Sequence, residues 1–293
     1  MTGRILAFGA AGLLGRSLVS TAREAGYEVF GCDLPECDIA RTQDVEARFR
    51  EVRPEIAINA AAITDVDLCE REPALAYRAN ALGPLVLARE AARAGARLVH
   101  VSTDYVFSGT KGAPYDEMDE PGPLSVYARS KLEGERAVLE VAKGAAIVVR
   151  TAWLFGPGGK SFVSRIPALL RERGAIEAVS DQVSSPTYAP DLARALLGLA
   201  EVAAGRLYHV ANSGAASYYD VALEAARLLG LEASRVRPIA SAALPRLARR
   251  PAATPLASVA LGAEGIAPLR GWREAFRDYV LAGEREYGPT GPK

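Results

Sequence analysis

The chain has 293 residues, enough for about two domains at roughly 150 residues each and for a substantial buried core. Hydrophobic residues at 49% and charged residues at 24% are ordinary globular values, which excludes a disordered or fibrous chain. Lys and Arg total 35 against 35 Asp and Glu, so there is no basic surplus of the kind a nucleic acid or an anionic membrane surface requires.

The first half alternates short apolar runs with longer amphipathic stretches. Arg4–Gly9 reads as a buried strand, Gly12–Ala25 as a helix and Tyr27–Cys32 as a second strand. Asp44–Val52 reads as a helix and Glu55–Ala60 as a third strand. Pro73–Ala94 is a long Ala/Leu/Arg helix, followed by a fourth strand, Arg97–Ser102. Ser125–Ala142 is a helix and Ala145–Thr151 another strand. Strands this apolar are buried on both faces. Crossovers of helical length between them predict an α/β fold, a Rossmann-type doubly wound parallel sheet.

After Trp153 the rhythm loosens. Gly156–Gly159 is a turn cluster, Leu207–Val210 is strand-like and Tyr218–Leu229 helix-like. Pro238–Pro255 has no clear period, and Gly271–Tyr287 fits a closing helix. The expected division is a dinucleotide-binding domain over 1–155, with a return segment near 181–204. A smaller C-terminal substrate domain is expected mainly over 156–293.

No apolar run approaches the roughly 18–20 residues of a transmembrane helix. Glycines interrupt the apolar stretch Met1–Leu14, which reads against a secretory signal. Three cysteines, Cys32, Cys37 and Cys69, are an odd number in a chain too large to need staples, and they fit a reducing cytoplasm. Their spacing makes no metal pattern; His100 and His209 lie on separate strands as core residues, so no metal is expected.

Gly9, Gly12 and Gly15 stand between the first strand and the first helix. Without Cβ atoms the backbone there turns tightly and its N–H groups approach a pyrophosphate, which the helix N-terminus also attracts. Placed so, the triplet predicts a nicotinamide dinucleotide site. Asp33 closes the second strand, where a carboxylate accepts from the adenosine ribose hydroxyls and favours NADH over NADPH unless a nearby Arg reverses it. Asp38 and Ile39 are placed to flank the adenine.

Tyr127 and Lys131 form YxxxK at the start of a helix, where i and i+4 share a face. An ammonium beside a phenol lowers its pKa from about 10 and makes it a usable acid or base. Thr103 and Asp104 stand at the C-terminal end of the fourth strand, the edge where ligands of open parallel sheets gather. The Thr103 hydroxyl can bind a substrate oxygen beside Tyr127. Together Thr103, Tyr127 and Lys131 are what hydride chemistry at a carbonyl needs. Thr103 positions the oxygen, Tyr127 moves the proton, and Lys131 tunes the acid and holds the nicotinamide ribose, so Tyr127 and Lys131 also count as cofactor contacts.

These residues resemble the extended short-chain dehydrogenase/reductase superfamily, and within it the dTDP-4-dehydrorhamnose reductase family. The resemblance runs through GAAGLLG (9–15), NAAAITDVDLCE (59–70), YRANALGP (77–84), VSTDYVFSG (101–109) and YARSKLEGE (127–135). It continues through VRTAWLFG (149–156), DQVSSPTYAPDLA (181–193) and YHVANSG (208–214). It implies reduction of the C4 ketone of a dTDP-linked 4-keto-6-deoxysugar, dTDP-4-dehydro-β-L-rhamnose, to dTDP-L-rhamnose with NADPH or NADH. It implies that Ala11, Gly12 and Leu13 contact the cofactor pyrophosphate, and that Ala60, Ala61 and Ala62 pass beneath the adenine and ribose. Asn80 would support the site, while Thr103, Asp104 and Trp153 would contact the nucleotide sugar. Tyr127 would donate the proton and Lys131 would be its electrostatic partner. A homodimer is common in the superfamily.

The family's R-P-x-x-S-x-L-D string is altered here: Arg250-Pro251 leads to Thr254 and Ala257 in place of the small polar residue and the acid. Two other readings keep the same residues. One is a nucleotide-sugar epimerase that cycles its cofactor. The other is a non-catalytic subunit resembling the regulatory subunit of methionine adenosyltransferase. A dehydratase is disfavoured, because Tyr105 stands where such enzymes carry a glutamate base.

Overall fold

The computed structural model describes residues 3–142, 144–202 and 205–287; positions 1–2, 203–204 and 288–293 of the stretches named above lie outside the described residues. The elements run β1 (Arg4–Phe8), α1 (Leu13–Glu24), β2 (Glu28–Cys32), α2 (Thr42–Val52), β3 (Ile56–Asn59), α3 (Val66–Arg71), α4 (Pro73–Tyr77) and α5 (Gly83–Ala94). Then come β4 (Arg97–Thr103), α6 (Val126–Ala142), β5 (Ala146–Thr151), β6 (Leu154–Phe155), α7 (Phe162–Arg173), β7 (Ile176–Val179), β8 (Val183–Ser184) and β9 (Thr187–Tyr188). The remainder is α8 (Ala189–Val202), β10 (Leu207–His209), β11 (Asn212–Ser213), β12 (Ala216–Ser217), α9 (Tyr218–Leu228), β13 (Val236–Ile239), α10 (Ala260–Ala263), β14 (Leu269–Gly271) and α11 (Trp272–Tyr287).

Six strands form one sheet in the order β10-β5-β4-β3-β1-β2, and every pairing in it is parallel. The doubly wound fold expected from the strand–helix rhythm is therefore present. Side chains alternate across the strands with period two. On β1, Ile5 and Ala7 face a core built with Leu14 and Leu18 of α1 and Leu192 and Leu196 of α8. Leu6 and Phe8 face the opposite core, with Phe49 of α2, Leu87 of α5 and Val138 of α6. Each such side chain contributes about 1.5–3 kcal/mol on burial, which is why these strands read as continuous apolar runs. A third core joins Phe155, Ile166, Val221, Trp272 and Phe276 beyond the sheet.

The chain leaves β1 for β2 on one side and goes to β3 on the other, so the order reverses between β1 and β3. Ligands of open sheets bind in the crevice at such a point, outside the carboxyl ends of the strands. Gly9 and Ala60 border it.

Two helices differ from the sequence reading. The single helix over Pro73–Ala94 is interrupted by a π turn at Arg78–Leu82. The turn carries Asn80 inward, and α6 crosses so closely that a Cβ on Gly134 would lie 2.2 Å from the Asn80 carbonyl oxygen. Helix α7, unassigned from sequence, accommodates Pro167 and is bounded by a Ser161 cap and by Gly174 at φ 73°. Among the described residues no helix is long and apolar enough to cross a membrane.

Candidate active site

The glycine turn is held by its own contacts. Gly9 has φ 79°, and a Cβ there would lie 2.6 Å from the Ala61 nitrogen. A Cβ on Gly15 would lie 2.0 Å from the Gly9 carbonyl oxygen. The first turn of α1 has neither a side-chain cap nor an acidic residue, so its N–H groups are free to meet an anion. The Asp33 carboxylate accepts the Ala11 N–H at 2.9 Å, which puts it beside the turn at the end of β2. Arg16, on the first turn of α1, donates to the Ala11 carbonyl and, at 3.1 Å, to that of Gly158. These features fit a dinucleotide pyrophosphate. Gly9→Ala is expected to weaken cofactor binding at least tenfold, read by titration of reduced nicotinamide fluorescence, because strain and backbone collision both displace the turn.

The opposite wall of the crevice is pinned from below. Asn59 accepts the Ala61 N–H at 3.0 Å and lies 3.0 Å from His100 Nδ1. Asn80 accepts from the Ile63 N–H and donates to the Ile63 carbonyl and to Ser130 of α6. The segment Ala60–Ala62 is thereby tied to β4 and α6. Farther out, the Asp38 carboxylate is engaged by Arg78 at 2.7 Å and by the Ala40 N–H. Ile39 is buried in the core against Gly83.

Tyr127 is 8% exposed, on the first turn of α6. Its phenol lies beside Thr103 at the end of β4. Burial raises the phenol pKa well above its ordinary value; the neighbouring Thr103 hydroxyl opposes this, and the nearby Asp104 adds to it. This differs from the expectation that Lys131 lowers it. The Lys131 ammonium is buried and donates to the Val101 carbonyl at 2.7 Å. Tyr127 is thus a protonated acid at neutral pH, suited to giving a proton to a nascent alkoxide.

Burial pulls the Lys131 pKa down to about 8, against an upward pull from Glu135. The ammonium is therefore lost as pH rises through about 8. Activity that needs it is expected to show a falling limb of kcat/KM there, and the limb should be absent from the residual rate of Lys131→Arg. Stability moves the other way. Between pH about 8 and 10.5 the unfolded lysine binds more protons, so folding strengthens as pH rises across that window.

Asp104 is 2% exposed and makes a hub of the site. It accepts from Thr103, from Ser184 of β8 at 2.7 Å and from Thr254 at 2.5 Å. Burial pushes its pKa up to about 6, and these hydrogen bonds restrain the rise. Thr254, the altered position of the C-terminal string, therefore ties the end of β4 to the last third of the chain. Arg250 clamps Asp67 with two hydrogen bonds of 2.6 and 2.9 Å, which holds the same segment over α3.

Trp153 follows β5 with φ 39°, a left-handed conformation costing a bulky residue about 1–3 kcal/mol. Its ring stacks on Tyr218 at 3.7 Å between centroids. Tyr218 also lines a cavity of about 590 Å³ with Phe162, Ile239, Arg173, Arg237 and Arg246. Flat aromatic and apolar walls with several guanidinium groups suit a nucleoside diphosphate.

The predicted residues at strand ends thus gather along one carboxyl edge: Gly9 after β1, Asp33 after β2, Ala60 after β3 and Thr103 at the end of β4. Ser184, Tyr218 and Arg246 were not singled out from sequence, and Tyr105 was noted only as the absence of a glutamate base. The one available signal was Ser217-x-x-Asp220, a capping pattern that starts α9 at Tyr218.

A family model described as the RmlD substrate binding domain matches residues 3–284. The dTDP-4-dehydrorhamnose reductase of Mycolicibacterium smegmatis is 44% identical over 96% of this chain and 86% of its own length. That of Mycobacterium tuberculosis is 45% identical over 95% of this chain and 93% of its own. The crystal structure of the Bacillus anthracis dTDP-4-dehydrorhamnose reductase in complex with NADP superposes with a TM-score of 0.92 at 33% identity, covering 96% of this chain and 100% of that one. A match of this extent, over a chain with a glycine turn and a buried Tyr127 beside Thr103 at the carboxyl edge of the sheet, makes this chain a member of the dTDP-4-dehydrorhamnose reductase family.

Proposed function

We propose that the chain reduces the C4 ketone of dTDP-4-dehydro-β-L-rhamnose to give dTDP-L-rhamnose, with NADPH or NADH as reductant. Bound in the glycine cradle, the reduced nicotinamide supplies the hydride that adds to the carbonyl carbon. Gly9, Ala11, Gly12, Leu13 and Gly15 hold the pyrophosphate, Asp33 and the Asp38–Ile39 turn border the adenosine, and Ala60, Ala61 and Ala62 floor it. Thr103 orients the ketone oxygen. Tyr127 gives its phenolic proton to that oxygen as the alcohol forms, and Lys131, one helical turn along α6, holds the nicotinamide ribose. Donors preset where charge develops are the main source of rate. The observation that carries the reading is the buried, protonated Tyr127 beside Thr103, at the carboxyl end of β4.

In this reading residues 1–155, with the return segment near 181–204, hold the cofactor, and 156–293 mainly hold the substrate. Trp153 and Asp104 border the sugar. The Asp104 carboxylate is engaged by three internal hydroxyls, so it shapes the sugar pocket through Thr103 as well as by contact. The free, buried thiols of Cys32, Cys37 and Cys69 fit a reducing cytoplasm. A homodimer is the assembly to test.

The experiment is to offer the full chain dTDP-4-dehydro-β-L-rhamnose with each nicotinamide cofactor and follow cofactor oxidation with product analysis. One cofactor consumed per dTDP-L-rhamnose formed is the expected result. Interconversion of dTDP-sugars without net cofactor consumption would instead identify an epimerase. Cofactor binding with no turnover would leave a binding subunit.

A further inference from the structure

Trp153 combines a left-handed backbone, φ 39°, with a ring laid almost flat on another. The Trp153–Tyr218 interplanar angle is 11°, and Phe162 abuts Tyr218 edge-on at 5.6 Å. The Trp153 carbonyl accepts the Thr187 N–H at 3.2 Å, and the next two residues pair β6 with β9. The indole is therefore anchored at its backbone and pressed at its face.

Tyr218 is itself tightly aimed. It is the first residue of α9, directly after Ser217, and the Ser217 side chain accepts from the Asp220 N–H while Asp220 accepts from the Ser217 N–H. This reciprocal pair fixes the direction in which the chain enters the helix. From that position the ring lines the 590 Å³ cavity, and the phenol is a close electrostatic neighbour of Tyr105. The Tyr105 ring stands edge-on to Tyr127 at 6.0 Å and 80°. One side chain thus touches the arginine-lined cavity, the strained indole and the tyrosine packed against the proton donor.

We propose that Tyr218 is a specificity-determining positioning residue: by stacking on Trp153 it holds the indole as a partition between the nucleotide cavity and the reaction centre, so that a nucleotide-linked sugar passes it with its carbonyl presented to Tyr127. The inference rests on the reductase reading above. The stack depends on a flat ring and not on the hydroxyl, which separates this role from a hydrogen-bonding one.

The test uses the full chain with Tyr218→Leu and Tyr218→Phe. The readouts are KM and kcat for the dTDP-4-keto-6-deoxysugar and the fluorescence of Trp153. The chain has two tryptophans, so the Trp153 emission is obtained by difference against Trp153→Phe. Tyr218→Leu is expected to raise KM at least tenfold, to leave kcat at saturation within about threefold and to change the Trp153 emission. Tyr218→Phe is expected to keep KM and emission within about twofold of the parent. A leucine variant with parental KM and parental emission overturns the proposal. So does a phenylalanine variant that reproduces the leucine defect. If the leucine variant does not fold, Tyr218→Met carries the same comparison without a flat ring, and an unchanged emission and KM there also overturns it. Absence of turnover in the parent chain would remove the reductase reading, whereas parental turnover with an indifferent Tyr218→Leu removes only this inference.

Discussion

Tyr127→Phe is expected to lower kcat on the dTDP-4-keto-6-deoxysugar by about 10²–10⁴, the usual contribution of a positioned general acid. The substitution is clean here. The ring packs with Cys69, Ala76 and Val126, and 8% of the residue is exposed, so phenylalanine preserves the packing and removes one oxygen. Cofactor affinity should stay within about threefold, because the pyrophosphate cradle lies on β1 and α1. Single-turnover rates and nicotinamide fluorescence titration measured on one preparation separate the two quantities. A kcat loss under tenfold would place proton donation elsewhere. A chain that acts by protein contacts alone would be indifferent to the change.

Removing the carboxylate of Glu135 carries the largest stability penalty in the vicinity of the site. Glu135 and Arg150 are 2% and 3% exposed. They meet at 2.7 Å, with further hydrogen bonds from Arg150 Nε and from Ser102. The guanidinium also lies 5.0 Å from the centroid of Phe107. Glu135→Ala leaves that cation buried without its partner, at a cost of about 3–5 kcal/mol. The melting temperature should fall on the order of 5–15 °C. Glu135→Leu combined with Arg150→Met removes both charges and should recover most of the loss. Equal instability of the single and double variants would show that packing, not charge, sets the penalty. Glu135 also lies one helical turn beyond Lys131, whose pKa it raises. A folded Glu135→Gln enzyme should therefore show the basic limb of kcat/KM at lower pH.

Sequence reading recovered the sheet because its inner strands β1, β3, β4 and β5 bury both faces, while the edge strand β2 is partly exposed, and apolar runs bounded by helices of crossover length have few other solutions. It placed Gly9, Thr103, Tyr127 and Lys131 at strand ends and helix starts for the same reason. It assigned the role of Lys131 less well. Spacing puts the ammonium on the face of Tyr127, but only the fold shows that it donates to the Val101 carbonyl and that burial governs the phenol. The interruption of the Pro73–Ala94 helix escaped notice because an Ala/Leu/Arg pattern has no local mark of a π turn. It lies where α6 crosses closely at Gly134, more than 50 positions away in the chain. Arg246 was hidden because Pro238–Pro255 has no period, and Tyr218 because a helix start says nothing of what its ring meets. Their meaning comes from contacts with Trp153, Tyr105 and Gln182, all distant in sequence.

The stretch from Arg250 to Ala257 is stitched to Asp67, Gly109, Tyr115 and Val183. A ribosome emits residues in order, so Asp104 waits for its Thr254 partner until most of the polypeptide has been made. Contacts of such wide separation slow the search for the native state. The Asp104 hub is therefore completed only once the last third of the chain is available. A ligand that binds only the completed site would favour the folded protein by mass action.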